Sequence, residues 1–80
     1  MAPEKIVFVS STCPYCEDYI RRHKEEIERG EIKIINVESE EGYEELMKIK
    51  NAGMKFYEVP KCVIKYSDNK YEFCNIDEEG

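Results

Sequence analysis

Two cysteines three residues apart carry the most reactive chemistry in this sequence. Cys13 and Cys16 enclose Pro14 and Tyr15 in a Cys-Pro-Tyr-Cys segment. On a helix, this spacing brings the two Cα atoms to about 5 Å, within the range that a disulfide bond needs. The pair is therefore a candidate redox-active disulfide, with a structural disulfide or half of a metal site as the alternatives.

The residues around Cys13 predict that the pair lies where a strand is followed by a helix. Residues 4–9 form a short apolar, β-branched run typical of a buried strand, and the hydroxyls of residues 10–12 suit a helix cap. Pro14 suits a first helical turn, because its missing N–H would be unpaired there. We therefore expect Cys13 to precede the first turn and to be exposed, and Cys16 to face inward.

A position at a helix start favours the thiolate form of Cys13. The free N–H groups and about half a positive charge at the start predict that the pKa of Cys13 lies below that of a free thiol. Glu17 and Asp18 repel negative charge on Cys13, so the expected lowering is moderate. A thiolate at Cys13 can attack a substrate disulfide, and Cys16 can then attack the mixed disulfide and release the product.

The hydrophobic periodicity of the remaining chain predicts a single α/β domain over residues 1–80. The expected elements are a strand at residues 4–9, a helix at 14–29, a strand at 32–37, a helix from 39 to about 51, and strands at 61–66 and 70–75. The order β-α-β-α-β-β begins with a parallel β-α-β unit. Six residues follow Cys74, too few for a further helix.

The last two strands can pair in two registers, which place the remaining cysteines differently. A two-residue loop pairs Ile64 with Phe73 and puts Cys62 and Cys74 on opposite faces of the sheet. A three-residue loop sets Cys62 opposite Cys74 but pairs Ile64 with Glu72. We favour the first register because it gathers apolar side chains on one face. We expect Cys62 to be a small buried residue rather than a third redox thiol, and Cys74 to be a spare thiol or a site for dimerisation through the uncovered edge strand.

The composition argues against several classes of partner. The 80 residues include 12 Lys and Arg against 18 Asp and Glu, and the resulting net charge of −6 disfavours binding to nucleic acid. Every apolar run is far shorter than the roughly 20 residues of a membrane span, and the first residues lack the pattern of a secretory signal. We therefore expect a cytoplasmic monomer with neither a nucleic-acid nor a membrane partner.

At two places the sequence resembles the glutaredoxins, a family of the thioredoxin-fold superfamily. The first is Cys13-Pro14-Tyr15-Cys16 after the first strand, which is typical of dithiol glutaredoxins, and the second is Val59-Pro60 before the third strand. The resemblance spans residues 4–77. It implies a thioredoxin-like fold, with a four-stranded mixed sheet in the order 2-1-3-4 and a cis bond between Val59 and Pro60. The C-terminal helix of the family is absent from this pattern.

The resemblance also implies an activity and a set of site residues. The activity is dithiol thiol–disulfide exchange in cell redox homeostasis, in which Cys13 attacks and Cys16 resolves. The substrate-binding residues that it implies are Pro14, Tyr15, Val59, Pro60 and Asp77. The backbone of Val59 would pair with glutathione or a peptide like an added strand, and Asp77 would meet the glutathione amine. We expect no bound cofactor, with glutathione as a possible electron donor.

Departures from the family pattern make a protein disulfide a serious candidate for the substrate, beside glutathione mixed disulfides. Ser10 stands where many glutaredoxins carry a basic residue that meets a glutathione carboxylate. Glu17 and Asp18 stand where basic residues often follow the second cysteine. Lys61 is the nearest candidate cation, although an ordinary strand lysine explains it equally well. Because glutathione is anionic, such a site should bind it weakly.

Two alternative functions follow from these departures and from the cysteine count. The first is a small thioredoxin-like electron donor, for example to ribonucleotide reductase, that thioredoxin reductase keeps reduced. The second belongs to another class and is a zinc or iron–sulfur module that uses all four cysteines.

Overall fold

The computed structural model describes residues 3–76, which form a four-stranded mixed sheet and three helices. In chain order the elements are β1 (Glu4–Val9), α1 (Pro14–Arg22), α2 (Lys24–Glu28), β2 (Lys33–Asn36), α3 (Glu40–Asn51), β3 (Lys61–Ser67) and β4 (Lys70–Cys74). The strand order is β2-β1-β3-β4, in which β1 is parallel to β2 and antiparallel to β3, and β3 is antiparallel to β4. The predicted α/β class and strand order are confirmed. Within the described residues no helix has the length and apolar composition needed to cross a bilayer.

The inner strand β1 is buried on both faces and divides the core into two layers. Alternate side chains of a strand point to opposite faces, which is why an uninterrupted apolar run suits this position. The layer on the α1 side contains Val7, Val9, Cys13, Cys16, Tyr19, Ile32 and Cys62. The layer on the α3 side contains Ile6, Phe8, Ile35, Ile49, Val63 and Tyr71. The candidate redox pair therefore belongs to the first layer.

The helix predicted over residues 14–29 is in fact two helices, because the backbone leaves the helical conformation at His23. Its φ of −114° and ψ of 28° end α1, although its N–H still donates to the carbonyl of Tyr19 at 3.0 Å. Its own carbonyl then accepts from Ile27 N–H at 3.0 Å and starts α2. Ile20 and Ile27 both pack on the same core layer. The break preserves the apolar stripe, so the periodicity of the sequence cannot reveal it.

The register favoured for the final hairpin is wrong, and the alternative register is observed. Cys62 pairs with Cys74 and Ile64 with Glu72, and an irregularity follows in β3 before the turn. The pairing of Ile64 with an acidic residue is tolerated because β4 is an edge strand and Glu72 is exposed. The Glu72 carboxylate also accepts a hydrogen bond from the Tyr66 hydroxyl at 2.8 Å.

The predicted start of α3 is confirmed, and it brings helix and strand into close contact. The Ser39 hydroxyl accepts a hydrogen bond from Gly42 N–H at 3.0 Å, which satisfies one of the free amides of the first turn. A Cβ added at Gly42 would overlap the Asn36 carbonyl oxygen and lie 2.9 Å from the Val37 Cα. Both neighbours are backbone atoms that cannot rotate away, so glycine is required at this position.

We expect Gly42→Ala to lower the free energy of unfolding by about 2 kcal/mol or more, because α3 and β2 must separate to admit the methyl group. Urea unfolding followed by circular dichroism measures the change. Glu44→Ala, on an exposed face of the same helix, is the matched control and should shift stability by less than about 0.5 kcal/mol. A Gly42→Ala protein as stable as the unmodified chain would contradict the close contact.

A phenol on the α3 side of the sheet is buried next to a carboxylate. Tyr71 is buried, its hydroxyl donates to Glu45 Oε1 at 3.1 Å, and Lys65 Nζ lies 3.0 Å from Glu45 Oε2. Burial first, and then the negative charge of Glu45, raise the pKa of Tyr71 from 10.0 to about 12. The neutral form of Tyr71 is therefore favoured in the folded protein.

This raised pKa predicts a loss of stability in alkaline solution. Neutral Tyr71 stabilises the folded protein. This stabilisation is fully present below the unfolded pKa of 10.0 and is lost as the pH rises towards about 12. We expect the free energy of unfolding to fall by about 2 kcal/mol over this range, and Tyr71→Phe to abolish that part of the decrease. Urea unfolding at stepped pH measures it, with Tyr43→Phe as the exposed control. An unchanged slope in Tyr71→Phe would refute the assignment.

Candidate active site

The start of α1 places the two cysteines of the Cys-Pro-Tyr-Cys segment in a disulfide. Cys13 is the residue before the helix, with an extended backbone at φ −107° and ψ 105°, and Pro14 is the first helical residue. The two Cα atoms lie 5.2 Å apart, in agreement with the predicted spacing. The N–H of Cys16 donates to Cys13 Sγ at 3.1 Å. The sulfur thus occupies the capping position that a hydroxyl oxygen often has at a helix start.

The two sulfur-bearing residues differ in burial, but less than the sequence predicted. Cys16 is 1% exposed and faces the core, as expected. The expectation that Cys13 is exposed is wrong for this disulfide form, because Cys13 is only 8% exposed. The loop before β3 accounts for the burial, since the Val59 carbonyl oxygen lies 3.7 Å from Cys13 Sγ. Tyr15, in contrast, is 77% exposed and borders the approach to the pair.

The loop before β3 completes the wall of the site. The Val59–Pro60 peptide bond is cis, as the resemblance implied. Val59 is half-buried and packs against both core layers. Pro60 and Tyr15 line one surface cavity of about 240 Å³, together with Ile76 from the segment after β4.

The structure therefore brings most of the predicted site residues together. The residues that meet at this end of the sheet are Cys13, Pro14, Tyr15, Cys16, Val59 and Pro60. Asp77, which was predicted to meet the glutathione amine, lies outside the described residues.

Cationic side chains near the pair are already engaged by other groups. Asp18 accepts from Arg21 Nη2 at 3.0 Å and from Arg22 Nε at 2.9 Å, and the hydrogen bond from Arg22 is the main reason that the pKa of Asp18 is lowered. Lys61, the cation nearest to the pair in the sequence analysis, holds its Nζ 4.6 Å from the ring centroid of Phe73. That contact lies on the α3 side of the sheet, away from the redox pair. Arg22, which lines the cavity beside Tyr15 and Pro60, therefore has part of its charge offset by Asp18, which lines the same cavity.

Sequence reasoning missed a second disulfide. Cys62 and Cys74 face each other across β3 and β4, with their Cα atoms 5.0 Å apart. Cys62 is fully buried in the core layer that contains Cys13 and Cys16, and Cys74 packs against that layer. The signal was present in the second hairpin register, which sets the two residues directly opposite each other. In residues 3–76, no three or more His, Cys, Asp or Glu side chains are arranged to hold a metal ion.

Comparisons with known proteins do not add to this description. No protein-family model, curated protein or solved structure matches the chain. Inference about function therefore depends on the geometry of the site and on the short motifs in the sequence.

We expect the pKa of Cys13 in the reduced protein to lie below the free-thiol value of about 8.5, because the Cys16 N–H and the start of α1 stabilise its thiolate. The pH dependence of iodoacetamide alkylation in Cys16→Ser, with the second disulfide intact, measures it. Cys13→Ser is the matched variant, in which the buried Cys16 thiol should ionise at higher pH. Alkylation of Cys13 with a midpoint at or above that of free cysteine would contradict this interpretation.

Proposed function

We propose that this chain is a glutaredoxin-like dithiol thiol–disulfide oxidoreductase with a thioredoxin-like fold. The observation that carries the proposal is the position of Cys13 Sγ, which lies 3.1 Å from Cys16 N and 3.7 Å from the Val59 carbonyl oxygen. A sulfur at a helix start and next to a cis-proline loop has both a thiolate-stabilising amide and a backbone that can hold a substrate. The strand order 2-1-3-4 is compatible with the proposed fold.

In the proposed reaction, the Cys13 thiolate attacks one sulfur of the substrate disulfide and the other substrate sulfur leaves as a thiolate. The Cys16 thiol then loses its proton and attacks Cys13 Sγ in the mixed disulfide. The second substrate thiolate leaves, and the bond between Cys13 and Cys16 closes. The substrate gains two electrons from the enzyme, and of the two protons that its thiolates take up, one comes from Cys16 and the other from solvent, which received the Cys13 proton when that thiolate formed.

The different positions of the two cysteines support these roles. Cys13 retains a small exposed fraction next to the exposed Tyr15, so a substrate reaches its sulfur first. Cys16 is almost fully buried, which protects its thiol from other disulfides. The Cα separation of 5.2 Å lets Cys16 resolve the mixed disulfide without unfolding of α1.

The backbone of Val59 is the proposed docking edge for the substrate. An extended peptide that lies beside Val59 brings its own disulfide next to Cys13 Sγ, because the Val59 carbonyl oxygen is 3.7 Å from that sulfur. Pro60 and Tyr15 border the same groove. Asp77 keeps its proposed role at the glutathione amine.

The charges around the site favour protein disulfides over glutathione. Arg21 and Arg22 pair with Asp18, and Lys61 lies over the Phe73 ring on the other side of the sheet. An anionic tripeptide in the cavity beside Pro60 therefore meets an Arg22 that is already ion-paired with Asp18, which weakens its attraction. This observation supports the second candidate, a small cytoplasmic electron donor that is reduced by thioredoxin reductase and serves a protein such as ribonucleotide reductase. A zinc or iron–sulfur module has less support, because both disulfides would have to open before the cysteines bind a metal.

We expect the reduced protein to reduce insulin, and Cys13→Ser to lower that rate to the uncatalysed level because the attacking sulfur is gone. Insulin precipitation and the oxidation of NADPH by a coupled reductase measure turnover. Thr12→Ser, next to the pair, is the matched control and should retain the rate of the unmodified chain. Equal activity in Cys13→Ser and the unmodified protein would overturn the catalytic assignment.

A comparison of turnover with two electron sources shows which reductant the protein uses. One source is glutathione with its reductase, and the other is thioredoxin reductase. Each is assayed with insulin and with hydroxyethyl disulfide as the substrate. Glutathione-dependent turnover that survives in Cys16→Ser would indicate a monothiol glutathione route. Loss of insulin reduction in both cysteine variants, with thioredoxin reductase as the better donor, would support the second candidate.

A further inference from the structure

The second disulfide has one inaccessible cysteine and one that solvent can approach. Cys62 lies on the inner strand β3 and is fully buried. Cys74 is the last residue of the edge strand β4 and is half-buried. In thiol–disulfide exchange the attacking thiolate must reach one sulfur while the other leaves. A nucleophile from solvent can therefore reach this bond at Cys74.

A surface cavity adjoins Cys74 on the α1 side of the sheet. Its volume is about 270 Å³, and its walls include Lys5 from β1, His23 from the break between α1 and α2, and Asn75. Lys5 is a cationic residue among those that line the cavity, and none of the lining residues among 3–76 carries a carboxylate. In a chain of net charge −6, this cavity is suited to an anionic ligand.

The ring of His23, one of the lining residues, is held in place by its neighbours. The ring of His23 stacks on Tyr19 with centroids 4.2 Å apart, and its Nδ1 lies 3.1 Å from Glu26 Oε1. Its Nε2 is buried and has no hydrogen-bond partner in the described part of the chain. Buried polar atoms are rarely left in this state in proteins. Because protein atoms enclose Nε2, it is out of reach of a ligand in the cavity, and the imidazole serves there as a packed wall.

We propose that Cys62–Cys74 is a second thiol–disulfide exchange site, at which a carboxylate-bearing, low-molecular-weight thiol enters this cavity and attacks Cys74 Sγ. The thiolate of the ligand forms a mixed disulfide with Cys74, and the bond to Cys62 breaks. Cys62 leaves as a thiolate and takes up a proton. A second ligand thiolate then attacks the ligand sulfur of the mixed disulfide, which yields the ligand's own disulfide and releases the Cys74 thiolate.

This site is separate from the proposed active site, although both open on the same side of the sheet. His23 lies seven residues beyond Cys16, which corresponds to roughly 10 Å along α1. The cavity next to Pro60 and the cavity next to Cys74 share Tyr19 and Ile76 as walls. The inference does not depend on the proposed function, because neither Cys13 nor Cys16 takes part in the exchange.

The double variant Cys13→Ser/Cys16→Ser isolates the second pair and makes the test independent of the proposed oxidoreductase activity. The folded variant is incubated with reduced glutathione as the probe, quenched with acid, alkylated with iodoacetamide and mapped by mass spectrometry. We expect a glutathione adduct on Cys74 and an alkylated Cys62. Adducts on Cys62, or exchange that occurs only after denaturation, would overturn the proposal and leave the bond as a structural crosslink.

Charge and hydrogen-bonding variants in the same background test the role of the cavity. Lys5→Gln should slow exchange with glutathione about fivefold, while exchange with uncharged β-mercaptoethanol stays unchanged. His23→Phe, which keeps a ring to stack on Tyr19, should leave both rates unchanged, because the His23 Nε2 is enclosed by protein atoms. Lys50→Gln, with its side chain exposed on α3, is the matched charge control and should leave both rates unchanged. Equal effects on both thiols, or none on either, would show that the cavity does not select the thiol.

Discussion

A hydrogen bond from Cys16 N–H to Cys13 Sγ is the interaction on which the candidate site depends. The bond exists because α1 begins at Pro14, which leaves Cys13 outside the helix with an extended backbone and its sulfur over the first turn. If the helix began one turn earlier, both cysteines would lie within it and Cys13 would lose this free amide. The same amide that caps the helix would stabilise a thiolate on Cys13 after reduction.

The pairing of β3 with β1 brings the loop that contains Val59 next to that sulfur. β1 is buried on both faces, so its end is held firmly where α1 begins. β3 runs antiparallel to β1, with Lys61 opposite Phe8, so the residues just before Lys61 lie next to the residues that follow β1. This register accounts for the 3.7 Å distance between Cys13 Sγ and the Val59 carbonyl oxygen. The site is thus made by two segments 46 residues apart in sequence.

The two disulfides share one core layer but differ in their surroundings. Cys13 lies at a helix start, where backbone N–H groups point at its sulfur. Cys74 ends an edge strand and borders a cavity whose lining residues include Lys5 and His23. The proposed functions therefore assign a different exchange partner to each bond, a protein disulfide at Cys13 and a small carboxylate-bearing thiol at Cys74.

Local patterns in the sequence by themselves determined the strand-to-helix position of Cys13, the cysteine spacing and the Ser39 start of α3, because each depends on neighbours a few residues away. The family resemblance, rather than a local pattern, predicted the strand order and the cis Val59–Pro60 bond. Only the tertiary structure decided the break at His23, the burial of Cys13 and the pairing of Cys62 with Cys74. The apolar pattern of the last two strands favoured the wrong register, because one face of an edge strand meets water and tolerates Glu72 opposite Ile64, so contacts with β1 and the helices had to select between the two.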